Sequence, residues 1–208
     1  MIPLCVDLKE KRIVIFGGGE VAARKAAYFA READVQVVSR SFSKRIGGLC
    51  VSRTTLDVTY ASDTDLEGIL QGAFIGIAAL SDSEQNTRIG IICIRNGILF
   101  NNADGEPGDI MIPSVTSGKN YTIAVSTEGR SPAVSRFIRE HLEVSFSNLD
   151  AMIDLQENLR QRLKSVEPSQ KRRREILREV LQDPGIWQAL SRSRIQAEGI
   201  VKRRYLHD

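Results

Sequence analysis

Short apolar runs alternate with helix-period segments through the first hundred residues. Arg12-Ile13-Val14-Ile15-Phe16 is a continuous apolar run that ends at three glycines, the pattern of a central parallel strand buried on both faces. Glu20 to Ala33, rich in alanine and free of Gly and Pro, predicts a helix, and Val35-Gln36-Val37-Val38-Ser39 the next strand. Ala73 to Ala78 predicts another strand, followed by Ser81-Asp82-Ser83 as the polar start of a helix ending near Arg95. Ile98-Leu99-Phe100 is a short strand running into Asn101-Asn102-Ala103-Asp104-Gly105. This alternation predicts an α/β fold, a Rossmann-type parallel sheet with helices on both sides.

The pattern changes after Pro113. Ser114-Val115-Thr116 and Tyr121 to Val125, separated by Gly118-Lys119-Asn120, predict two strands around a tight turn. Ser131-Pro132 supplies a capping side chain and a proline at the first helical position, so a helix is expected through Arg139 to about Leu142. From about residue 146 the chain reads as helical, broken near Pro168 and at Asp183-Pro184-Gly185. Three units are expected: an α/β domain over 1–113, a small β-hairpin-plus-helix unit over 114–145, and a helical C-terminal domain over 146–208.

Composition narrows the class without choosing a function. Of 208 residues, 42% are hydrophobic and 26% charged, ordinary for a globular protein. No long apolar run predicts a membrane span, and the N-terminus does not read as a signal peptide. Cys5, Cys50 and Cys93 are far apart, form no CxxC and sit among apolar neighbours, so small buried thiols in a reducing cytoplasm are expected. Charge is uneven: residues 1–150 hold 16 basic against 18 acidic residues, and residues 151–208 hold 13 against 8. The basic tail, with Lys171-Arg172-Arg173-Arg174 and Lys202-Arg203-Arg204, interleaves acids at helical spacing, which favours a solvated helix face over a nucleic-acid site. Neither nucleic acid nor a membrane is expected as a partner.

The sharpest chemical signal is Gly17-Gly18-Gly19-Glu20-Val21-Ala22, a G-x-G-x-x-A pattern between a buried strand and a helix. Gly17 permits the tight turn. Gly19 lets the backbone approach a pyrophosphate, favoured by free N–H groups at the helix start, and Ala22 allows close helix–strand packing. A dinucleotide site is therefore expected. The acid that usually holds the ribose hydroxyls of NAD at the end of the second strand is missing, and Ser39-Arg40-Ser41 stands there instead. By chemistry alone Arg40 favours the 2′-phosphate of NADP while Ser39 or Ser41 still reaches a ribose hydroxyl, so the residues leave NAD and NADP open. Metal chemistry has little support, because His141 and His207 are isolated and no Cys/His cluster exists. Asp104 lies just past the carboxyl end of a sheet strand, where ligands of open α/β sheets gather, in what is also an ordinary turn sequence.

Taken together, these segments resemble the precorrin-2 dehydrogenase family, which includes the dehydrogenase–ferrochelatases and the amino-terminal module of sirohaem synthase. The resemblance is carried by Ile2-Pro3-Leu4, by Gly17 to Lys25, by Ile77-Ala78-Ala79, by Asn101 to Asp104 and by Ile112-Pro113-Ser114. It continues through Ala124 to Ala133, Arg136 and Arg139-Glu140, and so spans about residues 2 to 143. It implies oxidation of precorrin-2 to sirohydrochlorin with NAD, in a cytoplasmic homodimer joined through residues 114–145. It places the family's essential aspartate on Asp104, as general base, and maps Gly17, Gly19, Glu20 and Val21 to the pyrophosphate loop. Arg40 and Ser41 fall on the ribose side, beside Ser39, and small residues there are compatible with NAD in this family. Thr127 falls where some relatives carry a serine of proposed regulatory interest, but its neighbour Glu128 differs and no regulation is carried across. Arg130, Arg136 and the basic tail are candidate partners for the substrate's carboxylates. Two further readings compete: a bifunctional enzyme that also inserts Fe²⁺ into sirohydrochlorin, and a non-catalytic sensor of dinucleotide or tetrapyrrole.

Overall fold

The computed structural model describes residues 1–104 and 108–206. Gly105 and His207, named above, lie outside the described residues. The chain divides into two compact units, Met1–Ile112 and Pro113–Asp208.

The first unit is built on a parallel sheet of β1 (Arg12–Phe16), β2 (Asp34–Ser39), β3 (Ser52–Thr55), β4 (Ala73–Ala78) and β5 (Leu99–Asn102), ordered β3-β2-β1-β4-β5. Around it run α1 (Glu20–Phe29), α2 (Lys44–Gly47), α3 (Asp63–Leu70) and α4 (Ser83–Arg95). The continuous apolar run of β1 is explained by burial on both sides. Ile13 and Ile15 join Ala22, Ala23 and Ala26 of α1, while Val14 and Phe16 join Leu66 of α3 and Ile89 and Ile92 of α4. Each fully buried large aliphatic contributes about 1.5–3 kcal/mol, so β1 is the spine of the unit. Gly76 of β4 is held small by Cys93, whose Sγ lies 2.4 Å from where a Cβ would stand. Strand order reverses at β1 and β4, so the crevice for ligands is expected outside their carboxyl ends.

Several expectations need correction. Helix α1 stops at Phe29 rather than Ala33, because the amides of Glu32 and Ala33 both turn onto the Phe29 carbonyl and Asp34 is drawn to the Lys11 carbonyl. The strand expected at Ile98–Phe100 is shifted to Leu99–Asn102, in register with Ile75–Ala78. Cys93 is a buried core thiol, pushed up to about 12 by burial and by Asp109 nearby. Cys5 and Cys50, in contrast, are exposed: their apolar neighbours do not carry them into the core.

In the second unit β6 (Ser114–Ser117) pairs antiparallel with β7 (Thr122–Val125). The turn between them is seated on Asp150, whose carboxylate accepts the amides of Lys119 at 2.9 Å and Asn120 at 2.8 Å. Ser131 caps α5 (Pro132–Ser145), its Oγ accepting from the Val134 amide at 3.3 Å. Then come α6 (Leu149–Val166), α7 (Gln170–Gln182), α8 (Pro184–Leu190) and α9 (Arg194–Tyr205). The i, i+3, i+4 stripe Met152, Leu155, Leu159 and Leu163 of α6 closes a core with Ile176, Val180, Ile186, Ala197 and Val201. Many tail arginines meet acids: Arg172 meets Glu175 and Glu179, Arg194 meets Glu198 and Asp154, and Arg204 meets Asp183. Among the described residues no helix is long and apolar enough to cross a membrane.

Candidate cofactor and active site

The carboxyl edge of the sheet gathers the segments that leave its five parallel strands. After β1 the chain passes through Gly17-Gly18-Gly19 into α1. Gly17 has φ +128°, open to glycine but strained for other residues, and an added Cβ would stand 2.4 Å from the Ala79 carbonyl oxygen after β4. Its amide donates to the Val38 carbonyl at 2.8 Å, and the Ala79 amide donates to Phe16 at 2.8 Å. Gly18 is packed harder still: a Cβ there would meet the Ser41 carbonyl oxygen at 1.8 Å and Ser39 Oγ at 2.7 Å. Sequence reasoning treats Gly18 as the variable position of the motif, yet it is the glycine with the least room. Gly19 is the opposite, with nothing within 4 Å of its Cβ position.

Gly19 is the N-cap of α1 and supplies no side-chain cap, so the Glu20 and Val21 amides at the helix start lack intrahelical partners. Glu20 and Val21 are both exposed on this edge, with Glu20 3.9 Å from Arg45 of α2. Ser43 donates its amide to the Gly18 carbonyl at 2.8 Å, while its Oγ is buried with no hydrogen-bond partner among the described residues. An open Cβ position, uncapped helix amides and an orphaned hydroxyl together fit a dinucleotide pyrophosphate on Gly17–Val21. Ser39 is buried at the end of β2, and Arg40 and Ser41 are exposed beyond it.

Asp104 lies past β5, on the same edge. Asn102 Oδ1 accepts the Asp104 amide at 3.1 Å, and the Ala103 amide donates to Ala78 at 2.8 Å, tying the turn to β4. Asp104 is exposed, and its carboxylate enters no hydrogen bond or ion pair with the described residues. Thr127, in the second unit, is a bracing residue: its hydroxyl donates to the Ser131 carbonyl at 3.0 Å and accepts the Ser131 amide at 3.1 Å. Arg136 is paired with Glu140 at 2.8 Å. His141 is exposed and stacks on Phe137.

Three residues of this edge have no role assigned from the sequence. Asn86 is fully buried, and its amide group grips Leu80 twice, accepting from its N–H and donating to its carbonyl, both at 3.0 Å. Asn101 donates to the Ile110 carbonyl at 2.9 Å and accepts from Lys25 Nζ at 2.7 Å. Burial pulls the Lys25 ammonium down to about 8, with Arg24 adding to the effect. The signal for all three is a polar side chain within an apolar-periodic element, which sequence alone does not separate from a solvated one. For Lys25 the folded value lies below that of the unfolded chain, so the unfolded state binds more protons between about pH 8 and 10.5. The cost of the buried ammonium is present below that window and fades as pH rises through it. Denaturant unfolding of wild type against Lys25→Met is therefore expected to show wild type gaining stability relative to the variant from pH 8 to 10; a flat difference would mean that Lys25 titrates as an ordinary lysine.

A family described as putative NAD(P)-binding matches residues 4–114. A precorrin-2 dehydrogenase of Methanosarcina barkeri is 41% identical over 197 residues, covering 92% of this chain and 88% of that protein. A sirohaem synthase of Azotobacter vinelandii is 28% identical over 216 residues, and this chain spans 44% of its length. Among solved structures, SirC, a precorrin-2 dehydrogenase, superposes with a TM-score of 0.70 at 25% identity, covering 98% of this chain and all of that one.

Proposed function

The chain belongs to the precorrin-2 dehydrogenase family, and we propose that it oxidises precorrin-2 to sirohydrochlorin, with NAD bound on the glycine cradle and Asp104 as the general base. The observation that carries this reading is the placement of an exposed carboxylate, unpaired among the described residues, on the same sheet edge as a glycine loop with room for a pyrophosphate. When bound, the nicotinamide supplies the hydride acceptor. Gly17 and Gly18 fix the loop, Gly19 leaves space for the pyrophosphate, and the Glu20 and Val21 amides meet its charge. Ser39, Arg40 and Ser41 face the adenosine ribose. Asp104 takes the proton that leaves the tetrapyrrole as the hydride departs, so two electrons and two hydrogens are accounted for. Asn102 and the Ala103–Ala78 backbone bond hold the turn that presents it.

The protein works in this reading as a cytoplasmic homodimer with residues 114–145 as the joining segment, within the same compact unit as the helices of 146–208. Support for self-association comes from α5, where Val134, Phe137, Ile138 and Val144 leave apolar side chains exposed, Phe137 at 68% and Val144 at 79%. Iron insertion into sirohydrochlorin is the second activity to test, since the tetrapyrrole brings its own nitrogen ligands and needs no protein metal cluster. The test is anaerobic incubation of the purified protein with fresh precorrin-2 and NAD, followed by absorbance, then addition of Fe²⁺. Sirohydrochlorin that forms only with NAD is the expected result, and its absence from folded, nucleotide-binding protein would leave a sensor. Metal insertion above the uncatalysed rate would add the chelatase. Sedimentation of the same preparation as a monomer would remove the dimer from this reading.

A further inference from the structure

The ribose end of the cradle carries charges that the dinucleotide motif does not explain. Arg40 stands one residue past β2, where an arginine ordinarily serves a 2′-phosphate. Lys44 and Arg45 follow at the start of α2, so three of the six residues after β2 are basic. A basic loop at this place favours NADP, whereas the family uses NAD. The structure shows what answers the arginine. The backbone leaving β3 runs beside the backbone leaving β2, with the Leu56 amide donating to the Ser39 carbonyl at 3.1 Å. The next residue is Asp57. Its Oδ2 lies 3.6 Å from an Arg40 guanidinium nitrogen, and its Oδ1 accepts the Thr59 amide at 3.1 Å, which holds the carboxylate in place. The Arg40 side chain is 75% exposed and free to reorient, while the Asp57 side chain is only 26% exposed. The carboxylate is therefore the fixed member of the pair. Arg45, the other arginine of the loop, is answered by Glu20 at 3.9 Å.

We propose that Asp57 is the residue that sets the choice of NAD over NADP: it supplies, from the end of β3, the acid that is missing from the end of β2, and it does so by occupying Arg40. An ordinary ribose acid selects NAD by bonding the hydroxyl pair and repelling the 2′-phosphate. Here the selection rests on charge. With Asp57 present its fixed negative charge offsets the arginine, so a dianionic 2′-phosphate gains less from Arg40 than from an unopposed guanidinium. With Asp57 neutralised, Arg40 is released to form a charge-assisted, bidentate contact with that phosphate. An exposed ion pair contributes little to folding, so removing Asp57 costs little stability and acts on the charge that faces the phosphate. This inference rests on the NAD-binding reading above and adds the residue that tunes it.

The test is calorimetric titration of the full-length protein with NAD and with NADP, in the absence of tetrapyrrole. Wild type is expected to bind NAD in preference. Asp57→Asn keeps the oxygen that accepts the Thr59 amide, and it should lower the ratio Kd(NADP)/Kd(NAD) by about tenfold or more, the order expected when one charge facing a dianion is removed near a solvated surface. Adding Arg40→Ala to Asp57→Asn should return the ratio most of the way to the wild-type value. Thermal unfolding of each variant confirms that the comparison is made on folded protein. A ratio unmoved by Asp57→Asn overturns the proposal, as does wild type binding both nucleotides equally well. A drop that persists when Arg40 is also removed overturns it too. Failure of the functional reading would show elsewhere, as precorrin-2 left unoxidised by protein that still binds NAD.

Discussion

Asp104→Ala is expected to lower NAD-dependent oxidation of precorrin-2 by at least a hundredfold while leaving NAD affinity and the unfolding midpoint close to wild type. Positioned general bases contribute about 10²–10⁴-fold, which sets the size of the loss. The structure sets its selectivity. The Asp104 turn is held by backbone and by Asn102, through the Asp104 amide accepted at 3.1 Å and the Ala103 amide donated to Ala78. The Asp104 carboxylate itself makes none of those bonds and is exposed, so its removal costs no more than an ordinary surface substitution, within about 0.5 kcal/mol. Asp104→Asn should fall nearly as far as Asp104→Ala, because it keeps the shape and loses the base. Steady-state rates, calorimetric NAD binding and thermal unfolding of the two variants form the measurement. A loss of tenfold or less would leave Asp104 as a turn residue and would move the base elsewhere on this edge.

What could be read from the sequence follows the physical origin of each signal. Strands β1, β2 and β4 are buried on both faces, so their apolar runs announce them, and the Ala73–Ala78 strand falls on its expected bounds. Helix α5 was legible because Ser131-Pro132 carries its own start signal. By contrast β3 reads Ser-Arg-Thr-Thr with no fully buried residue, an edge strand made by hydrogen bonds to β2 rather than by apolar burial, and no periodicity betrays it. The same invisibility hides Asp57, since its position matters only once β3 is known to lie beside β2. Lys25 and Asn101 are 76 residues apart and meet through the packing of α1 over the sheet, a contact that no local pattern encodes. The candidate site is therefore legible where its residues form one contiguous loop and illegible where they come from different strands meeting at one edge.

The glycine loop allows the fold and the cofactor site to be separated by two single-methyl substitutions. Gly18→Ala places a Cβ 1.8 Å from a backbone carbonyl oxygen, that of Ser41, in space that no side-chain rotation can clear. The loop after β2 has to move, and with it the bond from the Ser43 amide to the Gly18 carbonyl, at present 2.8 Å. Overpacking of this kind costs about 1–3 kcal/mol, and for a protein of this size each kilocalorie lowers the unfolding midpoint by roughly 2–4 °C. Gly19→Ala should behave in the opposite way. Its backbone, φ −85° and ψ −170°, is open to any residue, and its Cβ meets nothing within 4 Å, so the midpoint is expected to stay within about a degree of wild type. The methyl then stands in the open space that the pyrophosphate is expected to use, and NAD affinity should drop at least about tenfold, the 1.4 kcal/mol equivalent of one lost close contact to a charged group. Thermal unfolding and calorimetric NAD titration of both variants give the comparison. A Gly19→Ala protein that binds NAD as tightly as wild type would take the pyrophosphate off this loop, and a Gly18→Ala protein that melts normally would show that the β2 loop yields more readily than its contact with Gly18 implies.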